Sequence, residues 1–298
     1  MSSENNNLPL VSIIIASYNH SKYIRESIIS VINQTYKNIE LIIIDDASTD
    51  NSIEVIEEMS KIFPAKLILN TKNLGLNHSI TKALSICHGE YVCLLASDDY
   101  IDIHKLELQV DYLQKTKKKG VYSNGYQVFE NTTRLIKLQA FETEYRKNNA
   151  LKFLYSQDFG CPLLQSALFE IEVFKETIEI RQNYKSDDWA FAIKIFEQYN
   201  IGYFNTPLFY YRIHDTNTHK NYWNTLSMRL EVATKLVPIK YRQVSISNIF
   251  LSHGNYLLSD NSFLLAFKFH LSSILFNFSF LSILSMVKTL LSNLFKKK

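Results

Sequence analysis

VSIIIASYNHSKYIRESIISVINQTYKNIELIIIDDASTDNS, residues Val11–Ser52, decides the fold. Val11–Ser17 is a short β-branched run of the kind a buried strand needs. Ser21 could then cap a helix to about Gln34, in which Tyr23, Ile24, Ile28 and Val31 recur at helical spacing. Ile39–Ile44 is a second apolar run, and it ends in Asp45–Asp46. The polar segment Ala47–Ser52 leads into another amphipathic helix carrying Ile53, Ile56 and Met59, and Pro64 stops it. The alternation continues: Lys66–Leu69 reads as a strand, Leu76–Cys87 as a helix, and Tyr91–Leu95 as a strand running into Ser97–Asp98–Asp99.

Strands alternating with helices predict a doubly wound, mostly parallel α/β sheet flanked by helices. Ligands of such sheets bind beyond the carboxyl ends of the strands. Two of those ends carry an acidic pair here, Asp45–Asp46 and Asp98–Asp99. A carboxylate there suits a hard divalent cation held against phosphates, or the imide N–H of a base. Each pair also reads as a cap for the helix that follows, and locally the cap is the simpler reading.

Beyond residue 101 the pattern loosens. His104–Lys115, Lys147–Tyr155 and Asp188–Tyr199 have helical spacing, and Val121–Phe129 reads as a strand weakened by Gly125. Gly202–Tyr211 reads as an aromatic strand, which Pro207 assigns to a sheet edge. Residues 226–295 read as helical throughout. The expected division is a polar N-terminus at 1–9, a catalytic domain at 10–225 with halves 10–100 and 101–225, and a helical extension at 226–298.

Composition narrows the function. Hydrophobic residues make up 46% of the 298, as a packed core requires, and a formal net charge of +3 gives no reason to expect nucleic acid. Three cysteines in apolar surroundings, with no CxxC, read as reduced thiols without zinc. GxGxxG and Walker phosphate loops are absent from the sequence. The first ten residues lack a signal-peptide pattern, so a cytoplasmic protein is expected.

Further candidates follow the same logic. Tyr18 could stack on a base, or simply cover the sheet rim. Asp188, in the pair Asp187–Asp188, could act as a general base, or as first-turn acid on the helix dipole. Arg212, His214, Asn217 and His219 sit close together in a loop that could close over phosphates or a metal. Leu271–Val287 carries no charge, but its serines and the lysines after it leave one apolar face, with Leu271, Ile274, Leu275, Phe278, Leu281 and Leu284. That suits a helix lying in the headgroup plane better than a span; the alternative is a helical pair packed on the catalytic domain.

The opening stretch, followed in order by KNLGLNHSI (residues 72–80), GEYVCLLASDDY (89–100), SDDWAFAIKIF (186–196) and YYRIHDTNTHK (210–220), closely resembles family 2 glycosyltransferases, which have the GT-A fold. The resemblance covers about residues 10–220. It implies an inverting transferase that moves a sugar from a nucleotide-diphospho-sugar, expected to be UDP-linked, to a hydroxyl of a glycan or lipid-linked acceptor in surface polysaccharide synthesis. Carried over residue by residue, Ala16 and Tyr18 would line the base pocket, Asp46 would bind the base, and Asp98 would lie at the ribose and sugar. Asp99 would ligate a manganese or magnesium ion, His214 would lie near it, and Asp188 would be the catalytic base. The sequence departs from the family at Ala96 and Ser97, which leaves metal ligation resting on Asp99, at Asp187–Asp188, where Glu-Asp is common, and at Thr81, where an asparagine that contacts the donor is frequent. A non-catalytic nucleotide-sugar-binding protein on the same fold is the alternative. The implied partners are the donor, the acceptor and a membrane surface met by the C-terminal helices at the inner face of the cell membrane.

Overall fold

A computed structural model describes residues 8–129, 132–135, 139–156, 161–184, 187–214, 222–259, 262–277, 283–287 and 289. Its elements begin β1 (Val11–Ser17), α1 (Ile24–Ile32), β2 (Ile39–Asp45), α2 (Ser52–Ser60), β3 (Ala65–Leu69), α3 (Leu76–Leu84), β4 (Tyr91–Ala96), β5 (Tyr100–Ile101) and α4 (Lys105–Thr116). Then come β6 (Gly120–Phe129), β7 (Thr132–Leu135), α5 (Gln139–Arg146), α6 (Ala150–Ser156), a 3-10 turn at Leu164–Ser166, β8 (Leu168–Glu170), α7 (Ile171–Asn183) and α8 (Asp187–Gln198). The chain continues through β9 (Ile201–Arg212), α9 (Tyr222–Lys235), α10 (Ile239–Ser259) and α11 (Phe263–Phe276).

The sheet runs β3-β2-β1-β4-β8-β6-β9-β5, with β7 paired to β6. β1 to β4 are parallel, in register Ile13↔Leu41 and Ile13↔Cys93, while β8 is antiparallel to both its neighbours. Both sheet faces are buried, which is why these strands are continuous runs of Ile, Leu and Val. Ile13, Ile15, Leu41, Ile43, Cys93 and Leu95 share a core with α1, α2 and α4. On the opposite face Ile14, Ile42, Ile44, Val92 and Leu94 are equally enclosed. The expected mostly parallel α/β sheet flanked by helices is the one observed.

Two expectations are corrected. Helix α1 starts at Ile24 without a side-chain cap, and Ser21 instead donates its backbone N–H to Asp50 Oδ2 at 3.0 Å. Strand β9 is not an edge. It pairs in parallel with β6 and in antiparallel fashion with β5. Pro207 is tolerated because it sits opposite Asn124, where the register shifts on both sides and no regular ladder bond is demanded of it. Gly125 is beside the same irregularity, and a Cβ there would fall 2.2 Å from the Phe209 ring. The glycine therefore makes room for Phe209 rather than weakening the strand.

The chain divides into two compact units. The first holds Met1–Leu138, Pro162–Asn183 and Ile195–His214, and so contains the whole sheet. The second holds Gln139–Cys161, Tyr184–Lys194 and Asp215–Lys298. Two internal segments, and not the C-terminal helices alone, thus join the helical part. Within it Trp189 Nε1 donates to Leu154 O at 2.7 Å, and Asn248 Nδ2 to Ser156 O at 2.9 Å. Among the described residues no helix is long and apolar enough to cross a membrane. Of the expected apolar face in the tail, Phe278 and Leu281 lie outside the described residues.

Candidate functional site

The carboxyl ends of β1, β2 and β4 meet, as parallel register requires, and the loops leaving them are knitted together. Asn19 takes a left-handed backbone conformation (φ 55°), and its Oδ1 accepts the Thr49 N–H at 2.7 Å. Its own N–H donates to Ser48 Oγ at 2.8 Å, and the His20 N–H to Ser52 Oγ at 3.0 Å. Tyr18 is left outside this network with its ring 43% exposed. Ala16, half-buried, accepts the Ser97 N–H at 3.2 Å and so ties β1 to the acidic turn after β4.

The first acidic pair divides its work. Asp45 accepts the Ser48 N–H and the Ser48 hydroxyl, each at 2.7 Å, an Asx-type turn that closes its own loop. Asp46 faces the next loop: Oδ1 accepts from Asn70 Nδ2 (2.8 Å) and Leu74 N (2.9 Å), and Oδ2 from Gly75 N (2.7 Å). Burial pushes the Asp46 carboxyl up, but these donors outweigh it and hold the group below its ordinary range. Asp46 remains a carboxylate, and its three bonds fix the loop that would border a base.

The second pair divides more sharply. Asp99 is turned inward and is 1% exposed. Its Oδ1 accepts the Arg212 N–H at 2.8 Å, and Oδ2 lies 3.4 Å from Gln165 Nε2. Burial, and then the neighbouring Asp98 charge, push its pKa well above the usual carboxylate range. Gln165 Oε1, buried beside it, has no hydrogen-bond partner among the described residues. Asp98 points the other way, toward two histidines. His214 Nε2 is 2.9 Å from Asp98 Oδ2, and His20 Nδ1 is 3.8 Å from Asp98 Oδ1. One ligand atom from each of His20, Asp98 and His214 can be chosen so that all lie within 4.8 Å of one another.

This set fits a divalent cation. Two ligand atoms about 2.1 Å from a magnesium-sized ion, at right angles, stand about 3 Å apart. The His214–Asp98 pair matches that separation. Burial keeps the His20 imidazole below its ordinary value, against the pull of Asp98, so it is neutral as metal binding demands. His20 Nδ1 also hydrogen-bonds Ser97 Oγ at 2.7 Å, which fixes the ring. Asp98, expected at the sugar side, is therefore the carboxylate beside His214. Asp99, expected as the ligand, is buried and turned toward Arg212 and Gln165.

Arg212 holds the turn in place. Its Nε donates to Asp98 O at 2.8 Å and Nη2 pairs with Glu26 at 2.5 Å. The guanidinium lies between two rings, 4.9 Å from the Tyr23 centroid and 5.3 Å from that of Tyr100. Tyr23 in turn lies 4.9 Å from the His214 ring. Arg212 was a phosphate-loop candidate in the sequence; these contacts make it a brace. His20 was passed over beside Tyr18 because nothing local shows that it meets a turn 77 positions away. Of the remaining candidates, Asp188 stands half-buried in the first turn of α8, in the second unit. Asn217 and His219 lie outside the described residues.

Comparison with known proteins gives a consistent result. The family model "Glycosyl transferase family 2" matches residues 12–178, more than half of the chain. A Haemophilus influenzae protein named as an uncharacterized glycosyltransferase is 34% identical over 190 residues, covering 63% of this chain and 72% of that one. A Rickettsia typhi protein of like name is 31% identical over 231 residues, covering 75% and 70%. The chain spans only 34% of a second Haemophilus influenzae glycosyltransferase, to which it is 44% identical over 110 residues. Among solved structures, Staphylococcus aureus TarS residues 1–349 in complex with UDP-GlcNAc superposes with a TM-score of 0.63 at 16% identity, covering 89% of this chain and 81% of that one. Mannosyltransferase PcManGT from Pyrobaculum calidifontis, in complex with GDP-Man and Mn2+, gives 0.62 at 17%, covering 97% and 88%. These structural likenesses show the GT-A fold, and the sequence match shows the lineage: the chain belongs to glycosyl transferase family 2 and is a glycosyltransferase.

Proposed function

We propose that the enzyme transfers a sugar, with inversion, from a nucleotide-diphospho-sugar, of which UDP-linked donors are the first to test, to a hydroxyl of a glycan or lipid-linked acceptor in surface polysaccharide synthesis. The observation that carries this reading is the Asp98–His214–His20 cluster beyond the carboxyl end of β4, where ligands of such sheets bind. The solved neighbours hold UDP-GlcNAc in one case and GDP-Man with Mn2+ in the other, which supports a nucleotide-sugar donor and a manganese- or magnesium-sized ion. Asp98 and His214, with His20, would hold that ion; bound there, it would neutralise the diphosphate and stabilise the departing nucleotide.

The chain's own groups supply the rest. We assign exposed Tyr18 to the base face and Ala16 and the loop held by Asp46 to the walls of the base pocket. Arg212 keeps the Asp98 backbone in place while charge builds on the leaving oxygen. Asp188 is assigned as the general base. It takes the acceptor hydroxyl proton as that oxygen bonds to the anomeric carbon and the bond to the diphosphate oxygen breaks on the opposite face.

Nucleotide release from a panel of UDP- and GDP-sugars, with acceptor present, tests this. Asp188→Asn should keep donor affinity and lose turnover by roughly 10²–10⁴-fold. Full turnover in that variant removes Asp188 from the role. Failure of every nucleotide sugar to bind sinks the donor reading itself.

A further inference from the structure

The second unit has a helix, α11, that is apolar nearly all round. On α11 the residues facing inward are Ala266, His270 and Ser273, small or polar. They meet an equally polar seam on α10: Ser247 Oγ donates to Ser273 O at 2.9 Å, and a Cβ on Gly254 would stand 2.3 Å from the His270 ring. His270 Nδ1 is closed off by Thr289 Oγ1 at 2.8 Å. Phe269 packs on Phe250 and Trp223, but Leu264, Leu271, Leu275 and Phe276 stay exposed. Leu264, Lys268, Leu271 and Leu275 recur at i, i+4, i+7 and i+11, a single stripe. Leu264 and Leu275 are 72% and 78% exposed, and Leu271 is exposed as well. A surface helix ordinarily turns a polar face to water, and singly scattered exposed leucines do not line up along one face.

Charge points to what covers the stripe. Residues 239–298 carry seven lysines and arginines, from Lys240 to Lys298, against the single acid Asp260, a balance of +6. The total is +3, so the other 238 residues sum to −3. Two copies of this chain meeting face to face would set +6 against +6, which repels. An anionic bilayer instead offers hydrocarbon for the leucines and negative headgroups for Lys240 and Lys268. The 14 residues of α11 extend about 21 Å, short of the roughly 30 Å hydrocarbon core, so the helix lies on the surface rather than across it.

We infer that the outward stripe of α11 is a docking surface for an anionic lipid bilayer. Sedimentation of the full chain with vesicles tests this without donor or acceptor, so the result is independent of the transfer reaction. Vesicles of phosphatidylcholine with about 30% phosphatidylglycerol should bind the protein at least about tenfold better than pure phosphatidylcholine, and added salt should weaken the binding. The triple variant Leu264→Ser/Leu271→Ser/Leu275→Ser should lose about tenfold or more in vesicle affinity with an unchanged far-ultraviolet circular dichroism spectrum. Ile62→Ser, which removes an equally exposed apolar residue from the other unit, should bind as the wild type does. Absence of binding to the anionic vesicles overturns the inference, as does equal binding by the triple variant. A wild-type dimer in light scattering that the triple variant dissolves would also overturn it, making a second copy the occupant.

Discussion

Replacing Arg212 by lysine keeps the charge and removes the planar fork, which separates a brace from a phosphate ligand. The loss can be assembled from the contacts. Each of the two ring faces is worth about 0.5–1 kcal/mol at a partly exposed site. The Nε bond to Asp98 O, from a charged donor, is worth about 1.5–3 kcal/mol, part of which an ammonium can recover. The Glu26 pair adds about 0.5 kcal/mol, since Glu26 is 55% exposed and screened. Arg212→Lys should therefore destabilise the first unit by about 2 kcal/mol, and Glu26→Gln by about 0.5 kcal/mol. Tryptophan fluorescence is the wrong probe, because Trp189 and Trp223 both belong to the second unit. Far-ultraviolet circular dichroism through a urea titration, with hydrogen exchange over residues 98–101 and 208–213, reads the correct unit. Protection of the Arg212 N–H, which donates to Asp99, should fall most. An unchanged urea midpoint together with a large rise in donor KM would refute the brace and return Arg212 to the phosphates.

Other perturbations follow from the same geometry. Gly125→Ala should cost about 1–3 kcal/mol in urea unfolding, since its Cβ would meet the fully enclosed Phe209 ring, and Phe209→Leu on that background should recover part of it. Glu40 is pushed up by burial, but Lys66, Ser12 and the His88 N–H together hold it down at about 2, against an ordinary 4.5. A depressed carboxylate stabilises above its unfolded value and loses that contribution as pH falls toward the folded one. Glu40→Gln should therefore cost at most about 3 kcal/mol at neutral pH, with the gap to wild type closing between about pH 4.5 and pH 2. A gap that stays constant with pH would show that Glu40 acts through its shape and not its charge.

The sequence made the first hundred residues legible because both faces of a parallel sheet are buried, which leaves unbroken runs such as Ile13–Ile15 and Leu41–Ile44. It also showed where the acidic pairs would stand, since strand ends are sequence features. Which carboxylate of each pair faces the site was not legible. Asp98 and Asp99 differ by which way the turn sends them, and that is set by Arg212 and Gln165 from distant segments. His20 was hidden for the same reason. The placement of β9 was missed because pairing between strands far apart in sequence overrides the local edge preference of Pro207, the register shift beside Asn124 absorbing the proline. The sequence reads the tail as helical, and which leucines of α11 stay exposed appears only when α10 shows the face it covers.

Manganese binding in the presence of UDP, followed by electron paramagnetic resonance on folded wild type, Asp98→Asn, His214→Gln and Asp99→Asn, tests the central claim most directly. Asn suits the inward site at 99: it can accept the Arg212 N–H and offer an N–H to the orphaned Gln165 Oε1. The account predicts that Asp98→Asn and His214→Gln lose manganese affinity by about 10–100-fold or more, while folded Asp99→Asn stays within a few-fold of wild type. Loss of manganese in Asp99→Asn with retention in Asp98→Asn would contradict it.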